Sequence, residues 1–395
     1  MRFFSPGIMA LVAGYTLSQF YRAFLAVLSK VLNDEIGAAP DALAVSSGLW
    51  FVGFAAMQIP VGAALDRFGP RRTVAVLLAL GGAGGAAVFA MATQVWHIHL
   101  AMTLLGVGCA PVLMGSYYIF AREFPATAFG ALAGAVIGIG SLGNILGATP
   151  LVALVEAIGW RPTLWAAAVL TLVVAAAVWL MVRDPARLDA SHPQGSLSEL
   201  LAIRALWLIL PLFAVNYAAS AAIRGLWVGP YLADVYGASE DVIGYATLMM
   251  GLAMIAGNFL IGPAVRAAGG LRRAILMASG ATVVTLAVLA LAPAAGLIPA
   301  VILLALVGLS GAGFVLVMSQ GRAFLPPHLV GRGVTFFNMF SIGGVGLMQF
   351  GSRPVYAWAA SGGPDYAYAM LFAFFALPLA VALLIFTRMS EPQDD

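Results

Sequence analysis

Apolar runs long enough to cross a membrane recur along the whole chain and constrain its fold more than any other feature. A helix needs about 20 consecutive apolar residues to cross the hydrocarbon core of a bilayer. Only 9% of the 395 residues are charged, against about 25% in soluble domains. The sequence therefore predicts an all-α membrane protein with twelve spans. Their predicted bounds are 7–31, 43–65, 73–94, 97–121, 128–156, 163–182, 205–233, 242–265, 273–293, 297–320, 332–358 and 366–387.

The longest polar segment lies between the sixth and seventh spans and reads RDPARLDASHPQGSLSELLAIR. It predicts two six-helix bundles, residues 1–182 and 205–395, joined by a cytoplasmic linker at 183–204. When both termini are placed in the cytoplasm, 14 of the 19 Lys and Arg residues fall on the inner side. The positive-inside rule then predicts an N-in, C-in topology.

An internal repeat supports the division into two halves. Tyr15 and Arg22 are seven residues apart in the first span, and Tyr217 and Arg224 are seven apart in the seventh. Four further pairs are separated by 200 residues: Gln58 and Asn258, Gly62 and Gly262, Gly69 and Gly269, and Arg122 and Arg322. Two pseudo-symmetric bundles with a central site between them are a common plan of transporters.

A charged, glycine-containing loop, GAALDRFGPRR, occupies residues 62–72, and a weaker copy, GPAVRAAGGLRR, occupies 262–273. Together with GWRPTLW at 159–165, these stretches resemble motifs of the major facilitator superfamily (MFS), and the resemblance covers the whole chain. It implies an MFS fold and transport by alternating access. It also implies that Gly62 permits close helix approach and that Asp66 pairs with loop arginines. The residues of this implied gating latch are Gly62, Asp66, Arg67, Gly69, Arg71, Arg72 and Arg122.

Arg22 and Arg224 stand inside apolar spans, and Arg22 is about 15 residues into the first. A charge at the bilayer centre costs about 2.5–3.5 kcal/mol and normally faces a cavity or a partner. All 16 acidic residues fall at span ends or in loops. A guanidinium group fits carboxylate or phosphate and also stacks on aromatic rings. We therefore predict a small organic solute, anionic or aromatic, held at a central site by Arg22 and Arg224.

Other polar and aromatic residues share helix faces with these arginines or lie in neighbouring spans. The predicted substrate-binding residues are Tyr15, Gln19, Arg22, Tyr118, Tyr217, Arg224, Trp227 and Asn338. No acidic residue lies in mid-span, and a buried carboxylate is the usual proton site of a proton-driven transporter. Facilitated diffusion and exchange therefore stay open beside proton symport.

Three stretches, YTLSQFYRAF, MGSYYIFAREFP and RGLWVGPYLADVYG, are similar to a bacterial branch of the superfamily. That branch holds copper importers for cytochrome oxidase assembly and riboflavin-importing relatives. Its copper importers pair Met-x-x-x-Met motifs on helices 7 and 8. Met250 and Met254 match the motif on helix 8, whereas helix 7 has no methionine at 214–227. The resemblance implies a bacterial inner-membrane protein and favours a flavin-like solute, with copper bound by Met250 and Met254 as the alternative.

Motifs of enzymes are missing from the sequence: it has no Walker loop, no His-Glu-x-x-His and no nucleophile–base pair. We predict that the chain is not an enzyme and carries no catalytic residue and no cofactor. A net charge of +3 gives no reason to expect nucleic acid. The predicted partners are a small-molecule substrate and the lipid bilayer, with the chain as a monomer. A non-transporting membrane receptor is the alternative of another class.

Overall fold

A computed structural model describes residues 5–38, 40–147, 149–186 and 197–389. The regular structure within these ranges is helical. The helices before residue 187 are α1 (Pro6–Ile36), α2 (Pro40–Ala56), α3 (Gln58–Phe68), α4 (Pro70–Leu77), α5 (Gly84–Ala90), α6 (Val95–Glu123), α7 (Ala126–Gly140), α8 (Leu142–Leu146), α9 (Thr149–Ile158) and α10 (Trp160–Met181). A π-helical stretch, Leu78–Ala83, joins α4 to α5.

The helices after residue 196 are α11 (Leu197–Ala202), α12 (Arg204–Ala222), α13 (Val228–Tyr236), α14 (Glu240–Ala268), α15 (Leu271–Leu291), α16 (Leu297–Gly311), α17 (Phe314–Ala323), α18 (Val330–Ala359) and α19 (Pro364–Phe386). A second π-helical stretch, Ile223–Trp227, joins α12 to α13. Short 3₁₀ turns at Pro327–Leu329 and Ala360–Gly362 flank α18. Of the predicted linker 183–204, residues 187–196 lie outside the described ranges.

Many of these helices are long and apolar enough to cross a membrane. Within the described residues ten pass by length and composition, and an eleventh passes if the bent pair Val45–Ala56 and Gln58–Phe68 is one span. Helix α1 has 31 residues but is not among the ten. The prediction of an all-α multi-pass chain agrees with this architecture, while twelve spans and the N-in, C-in orientation stay predictions.

The chain divides into two compact units. Unit 1 comprises Met1–Pro125, Val136–Leu197 and Pro326–Phe336, and unit 2 comprises Ala126–Ala135, Ser198–Leu325 and Phe337–Asp395. Helices α7 and α18 therefore contribute residues to both units.

Close helix approach in unit 1 depends on glycine. Gly108 on α6 faces the π-helical stretch Leu78–Ala83, and a Cβ on Gly108 would collide with the backbone of Gly82. Small residues allow backbones in a membrane to approach this closely, which gains dispersion contacts. Helix α1 packs on α10, where the Tyr21 hydroxyl donates to the Ala167 carbonyl at 3.1 Å. These contacts fix the helix that carries Arg22.

One end of unit 1 is held by a polar cluster around Glu35. Arg161 forms an ion pair with Glu35, and the Trp160 indole N–H donates to the same carboxylate at 3.1 Å. Arg161 also donates to the Ala92 carbonyl at 3.2 Å. The hydrogen bonds from Arg161 and Trp160 hold the pKa of Glu35 below its ordinary value. The cluster joins the end of α1, the segment after α5 and the start of α10.

Unit 2 has an apolar core formed by side chains of α13, α14, α15, α16 and α19. Polar groups inside this unit find local partners. The hydroxyls of Tyr231 and Tyr236 each donate to the Pro293 carbonyl at 2.6 Å, and the Asn216 amide donates to the Ser279 hydroxyl at 2.8 Å. Buried polar groups without partners are costly, so these bonds position α12 and α13, which flank the turn carrying Arg224.

Candidate functional site

The guanidinium group of Arg22 lies over aromatic rings in unit 1. Its central carbon is 4.8 Å from the Trp50 ring centroid and 5.7 Å from that of Phe51. Trp50 is buried and stacks on Phe54 at 5.0 Å. Cation–π contacts contribute about 0.5–2 kcal/mol, the upper value when desolvated, against about 2.5–3.5 kcal/mol for a midplane charge. The rings therefore offset part of the cost of this charge without neutralising it.

Three buried polar atoms of α1 and α2 lack a hydrogen-bond partner within the described residues. They are Arg22 Nε, Gln19 Oε1 and Trp50 Nε1. The other end of the Gln19 amide donates from Nε2 to the Tyr15 hydroxyl at 3.1 Å. The Tyr15 ring in turn lies against Gly140, where a Cβ would collide with it. This part of α1 and α2 thus holds two donor atoms and one acceptor atom whose hydrogen-bonding capacity is unused within the described residues.

Arg224 occupies the corresponding span of unit 2, in the π-helical stretch Ile223–Trp227. Such stretches are frequent at functional sites because they change the direction of side chains locally. Arg224 is half-buried, and within the described ranges it has no hydrogen bond, ion pair or ring contact. Its Nη1 lies 3.2 Å from the position that a Cβ on Gly251 would occupy. The charge of Arg224 is therefore less compensated than that of Arg22.

The other predicted binding residues of unit 2 have different surroundings. Tyr217 is half-buried, and its ring centroid is 5.4 Å from that of Phe314. Asn338 on α18 is buried. Trp227 belongs to the apolar core of unit 2, and its indole N–H donates to the Ser352 hydroxyl at 3.0 Å. Trp227 is thus packed within unit 2 at the end of the π-helical stretch, and substrate binding by this residue stays a prediction.

Asp66, in the loop motif after the second span, has backbone partners. One carboxylate oxygen accepts the N–H of Gly331 at 3.0 Å, and the other accepts the N–H of Arg332 at 3.3 Å. These groups belong to the first turn of α18, whose N–H groups lack intrahelical partners and carry partial positive charge. Asp66 thus caps α18, which differs from the expected cluster with loop arginines. Gly62 lies beside the same turn, and a Cβ there would collide with the Thr335 hydroxyl.

Two of the loop arginines, Arg67 and Arg71, contact aromatic rings. The Arg67 guanidinium lies 5.2 Å from the Phe68 ring centroid, and that of Arg71 lies 5.4 Å from that of Trp179. Arg72 is exposed. The guanidinium groups of Arg67 and Arg72 are exposed and remain solvated, so a pair with Asp66 gains little, whereas unpaired helix N–H groups need an acceptor.

Asp184, directly after α10, caps a second helix of unit 1. Its Oδ1 accepts the backbone N–H of Arg71 at 2.8 Å, at the start of α4. Gly69 precedes that helix with φ 83°, and a Cβ there would lie 2.6 Å from the Asp184 carboxylate carbon. Both the backbone angle and the close carboxylate require glycine at this position.

Arg122, at the end of α6, contacts two further segments of unit 1. Its Nη2 donates to the Ala186 carbonyl at 2.9 Å, and its Nη1 donates to the Pro327 carbonyl at 3.3 Å. Nη1 also lies 3.5 Å from the Tyr118 hydroxyl. The structure therefore brings Tyr118, a predicted binding residue, together with Arg122, a predicted latch residue.

The two methionines predicted as alternative metal ligands lie on α14. Met250 is fully buried in the apolar core of unit 2, and its Cγ is 3.0 Å from the position of a Cβ on Gly308. Met254 is half-buried, and its carbonyl accepts the Asn258 amide at 2.9 Å. These surroundings match the use of methionine as a packing residue. In the described part of the chain, no group of three or more His, Cys, Asp and Glu residues could hold a metal ion.

Sequence reasoning missed Trp50 and Phe51 as partners of Arg22, Gly251 as the neighbour of Arg224, and Asp184 as a helix cap. The repeat contained a usable signal, because positions 50 and 51 precede Met250 and Gly251 by 200 residues, the offset of Gln58 and Asn258. For Asp184 the signal was its place directly after the sixth span, where a free carboxylate can meet a helix start.

Comparison with known proteins supplies the decisive observation. The sequence profile of the Major Facilitator Superfamily matches residues 11–348. The chain belongs to the major facilitator superfamily. This confirms the family expected from the loop motifs, and the family and fold are those of transporters. No curated protein sequence matches the chain.

Solved structures of other superfamily members share the fold of this transporter. The fucose:proton symporter of E. coli has a TM-score of 0.76 at 16% identity, covering 98% of this chain and 100% of that chain. A proton:xylose symporter, bound to 6-bromo-6-deoxy-D-glucose, has a TM-score of 0.73 at 14% identity, covering 98% and 96%. The human organic anion transporter TETRAN has a TM-score of 0.73 at 16% identity, covering 95% and 99%. At these identities the likeness establishes the fold alone.

Proposed function

We propose that this superfamily member moves a small organic solute, anionic or aromatic, across a bacterial inner membrane by alternating access. Its family and multi-pass helical architecture support transport. The halves proposed to move are residues 1–182 and 205–395, joined by the linker 183–204. The chain is proposed to act as a monomer in the N-in, C-in orientation.

The proposed substrate class is supported by the surroundings of Arg22 and Arg224, two arginines in apolar spans that have no acidic partner within the described residues. Arg22 has aromatic neighbours, and Arg224 has no hydrogen bond, ion pair or ring contact within the described ranges. A charge in a membrane span needs compensation. A solute with a negative charge and a conjugated ring supplies both an ionic partner and a π-face. A cationic solute would be repelled by both side chains.

The remaining binding residues are proposed by their positions beside the arginines. Tyr15 and Gln19 share a face of α1 with Arg22, and Gln19 Oε1 has no partner within the described residues. Tyr217 precedes Arg224 by seven residues. Asn338 and Tyr118 are proposed as further polar contacts, and Trp227 supports the Arg224 turn through its bond to Ser352.

We propose that the cap formed by Asp66 acts as the latch. The carboxylate holds the first turn of α18 through the Gly331 and Arg332 N–H groups, and Gly62 allows this approach. Gly69, Arg67, Arg71, Arg72 and Arg122 shape and anchor the surrounding loops. A latch that exists in one conformational state shifts the equilibrium between states by its own free energy.

Copper import is not favoured by any contact in the described residues. The Met250 thioether is enclosed by apolar side chains, and an apolar environment without further donors suits packing better than a metal.

The substrate class can be tested by thermal unfolding of the purified full-length protein with organic anions, flavins, amino acids and Cu(I). A ligand at 100 times its dissociation constant adds about 2.7 kcal/mol to the stability of the folded state. We expect planar organic anions to stabilise the wild type and to lose that effect in Arg22→Ala. Stabilisation by Cu(I) alone would refute the proposal. Binding without flux in proteoliposomes would indicate a receptor.

A further inference from the structure

The internal repeat places each half-buried arginine beside a similar position of a later helix. Arg22 lies against Phe51 on α2, and Arg224 lies against Gly251 on α14. Positions 51 and 251 differ by 200, the offset of Gln58 and Asn258, and the arginines differ by 202. The two contacts therefore occupy matching positions of the repeat to within two residues, although the residues at the second position have opposite character.

In unit 1 the guanidinium face is covered by the protein. The Arg22 carbon is 4.8 Å from the Trp50 ring centroid and 5.7 Å from that of Phe51. Trp50 is itself fixed by stacking on Phe54 with 19° between the rings. The Arg22 group is thus held in place before any solute binds.

In unit 2 the corresponding space is open. Apart from its two chain neighbours and the backbone of its own helix, the only described atom within 4 Å of a Cβ on Gly251 is Arg224 Nη1, at 3.2 Å. Gly225, next to Arg224, is similar, because a Cβ there would meet only the Gln349 amide nitrogen, at 3.7 Å. Two glycines therefore leave the surroundings of Arg224 without the side chains that cover Arg22.

We infer that Arg224 and Gly251 form a subsite for the conjugated ring of a planar aromatic anion, with Gly251 as the specificity-determining residue. This inference rests on the proposed function and deepens it. The solute ring stacks on the Arg224 guanidinium beside Gly251 and gives Arg224 the π-face that Phe51 gives Arg22. Its negative charge compensates a guanidinium that has no acidic partner in the described residues. A saturated anion of equal size supplies the charge but lacks the π-face.

A side chain at position 251 should block this subsite. A Cβ at 3.2 Å from Arg224 Nη1 is already tight, and a phenyl ring would stack on the guanidinium as Phe51 does. The solute ring would then be replaced by a ring of the protein. Since cation–π contacts contribute about 0.5–2 kcal/mol, we expect affinity for a planar anion to fall about tenfold in Gly251→Phe.

The test is isothermal titration of full-length protein in lipid nanodiscs with naphthoate, its saturated analogue decahydronaphthoate, and neutral naphthamide. For wild type we expect naphthoate to bind most tightly. In Gly251→Phe, naphthoate affinity should fall about tenfold, from the lost cation–π contact, while decahydronaphthoate affinity should change less than about threefold. Gly280→Phe is the matched control, because a Cβ at that glycine of α15 has no described atom within 4 Å, and it should leave both affinities unchanged.

Different results separate the subsite from the proposed function. Equal losses for naphthoate and decahydronaphthoate in Gly251→Phe would overturn the subsite, because the ring would then be a general obstruction. Unchanged binding of both anions in Arg224→Gln, or no anion binding by wild type, would overturn the proposed function itself. Arg224→Lys is the second variant if the phenylalanine variant does not fold, because it keeps the charge but loses the planar guanidinium face that stacks on a ring. It should lower naphthoate affinity selectively, and an equal loss of both anions would again overturn the subsite.

Discussion

Removing the charge of Asp66 should loosen the first turn of α18. Asp66→Asn keeps the shape of the side chain but leaves one oxygen to accept a hydrogen bond, and its new NH₂ group faces the second backbone N–H. Hydrogen bonds to charged groups contribute about 1.5–3 kcal/mol and neutral ones about 0.5–1.5 kcal/mol. Loss of the helix–charge attraction adds about 0.3–1 kcal/mol. We expect a local cost of about 1–2 kcal/mol, within the range for lost caps.

Hydrogen–deuterium exchange measures this cost directly, because amide exchange reports local opening. A cost of about 1–2 kcal/mol corresponds to a factor of about 5–30. Exchange in a peptide covering residues 326–336 should accelerate by that factor in Asp66→Asn. Asp34→Asn is the control, because Asp34 is exposed and should leave the peptide unchanged. Unchanged exchange at Gly331 and Arg332 in Asp66→Asn would refute the cap.

Three other outcomes follow from local contacts. Asp66→Asn should lower flux in proteoliposomes more than it lowers anion affinity, since a latch biases conformational states; equal losses would indicate misfolding or direct substrate contact. Gly108→Ala should destabilise the protein by about 1–3 kcal/mol through overpacking, as measured by thermal unfolding. Gly84→Ala is the control and should leave stability unchanged, because its Cβ meets only a carbonyl at 3.9 Å. Equal effects of the two variants would contradict the close packing at Gly108. The pKa of Glu35 is lower in the folded than in the unfolded protein. The ion pair of Glu35 with Arg161 therefore stabilises the fold by about 0.2–1 kcal/mol, the range for an exposed pair. This stabilisation should be present above pH 4.5 and should disappear as the pH falls through the folded pKa. Glu35→Gln should remove that pH-dependent part in unfolding measurements, and an unchanged pH profile would count against the ion pair.

The architecture was readable from the sequence because membrane spans need long apolar runs. The predicted span 163–182 lies almost wholly within helix α10, Trp160–Met181. The length and apolarity of this segment determine both the predicted span and the observed helix. The family was also readable, because the loop at 62–72 combines glycine and charge in a pattern that a chain rarely acquires by chance.

The partners of individual charges were not readable from the sequence. The expected partners of Asp66 were Arg67, Arg71 and Arg72, its neighbours in the chain. Its oxygens instead accept the N–H groups of Gly331 and Arg332. Helix ends present unsatisfied N–H groups wherever folding places them, and the sequence does not say which carboxylate will be near. Contacts across more than 200 residues depend on packing, which hydropathy does not encode.

The same limit applied to the arginine sites. The spacing of Tyr15 and Arg22 identified a polar stripe on α1, but the rings that cover Arg22 come from α2. The repeat offset of 200 residues relates Trp50 and Phe51 to Met250 and Gly251, so the repeat extends to apolar positions as well as polar ones. Apolar residues in a membrane span carry little signal by themselves, because the bilayer favours them throughout.

The most direct test of the substrate class is uptake into proteoliposomes that hold equal amounts of each variant. Naphthoate and Cu(I) are offered separately to wild type, Arg22→Ala, and the double variant Met250→Leu with Met254→Leu. Arg388→Ala serves as the control, because this arginine is exposed after α19. The leucines keep volume and apolarity, so packing should change by less than about 1.5 kcal/mol per site. We predict that naphthoate uptake is abolished in Arg22→Ala and largely kept in the double variant and the control. Copper uptake by wild type that survives in Arg22→Ala and is lost in the double variant would contradict the account.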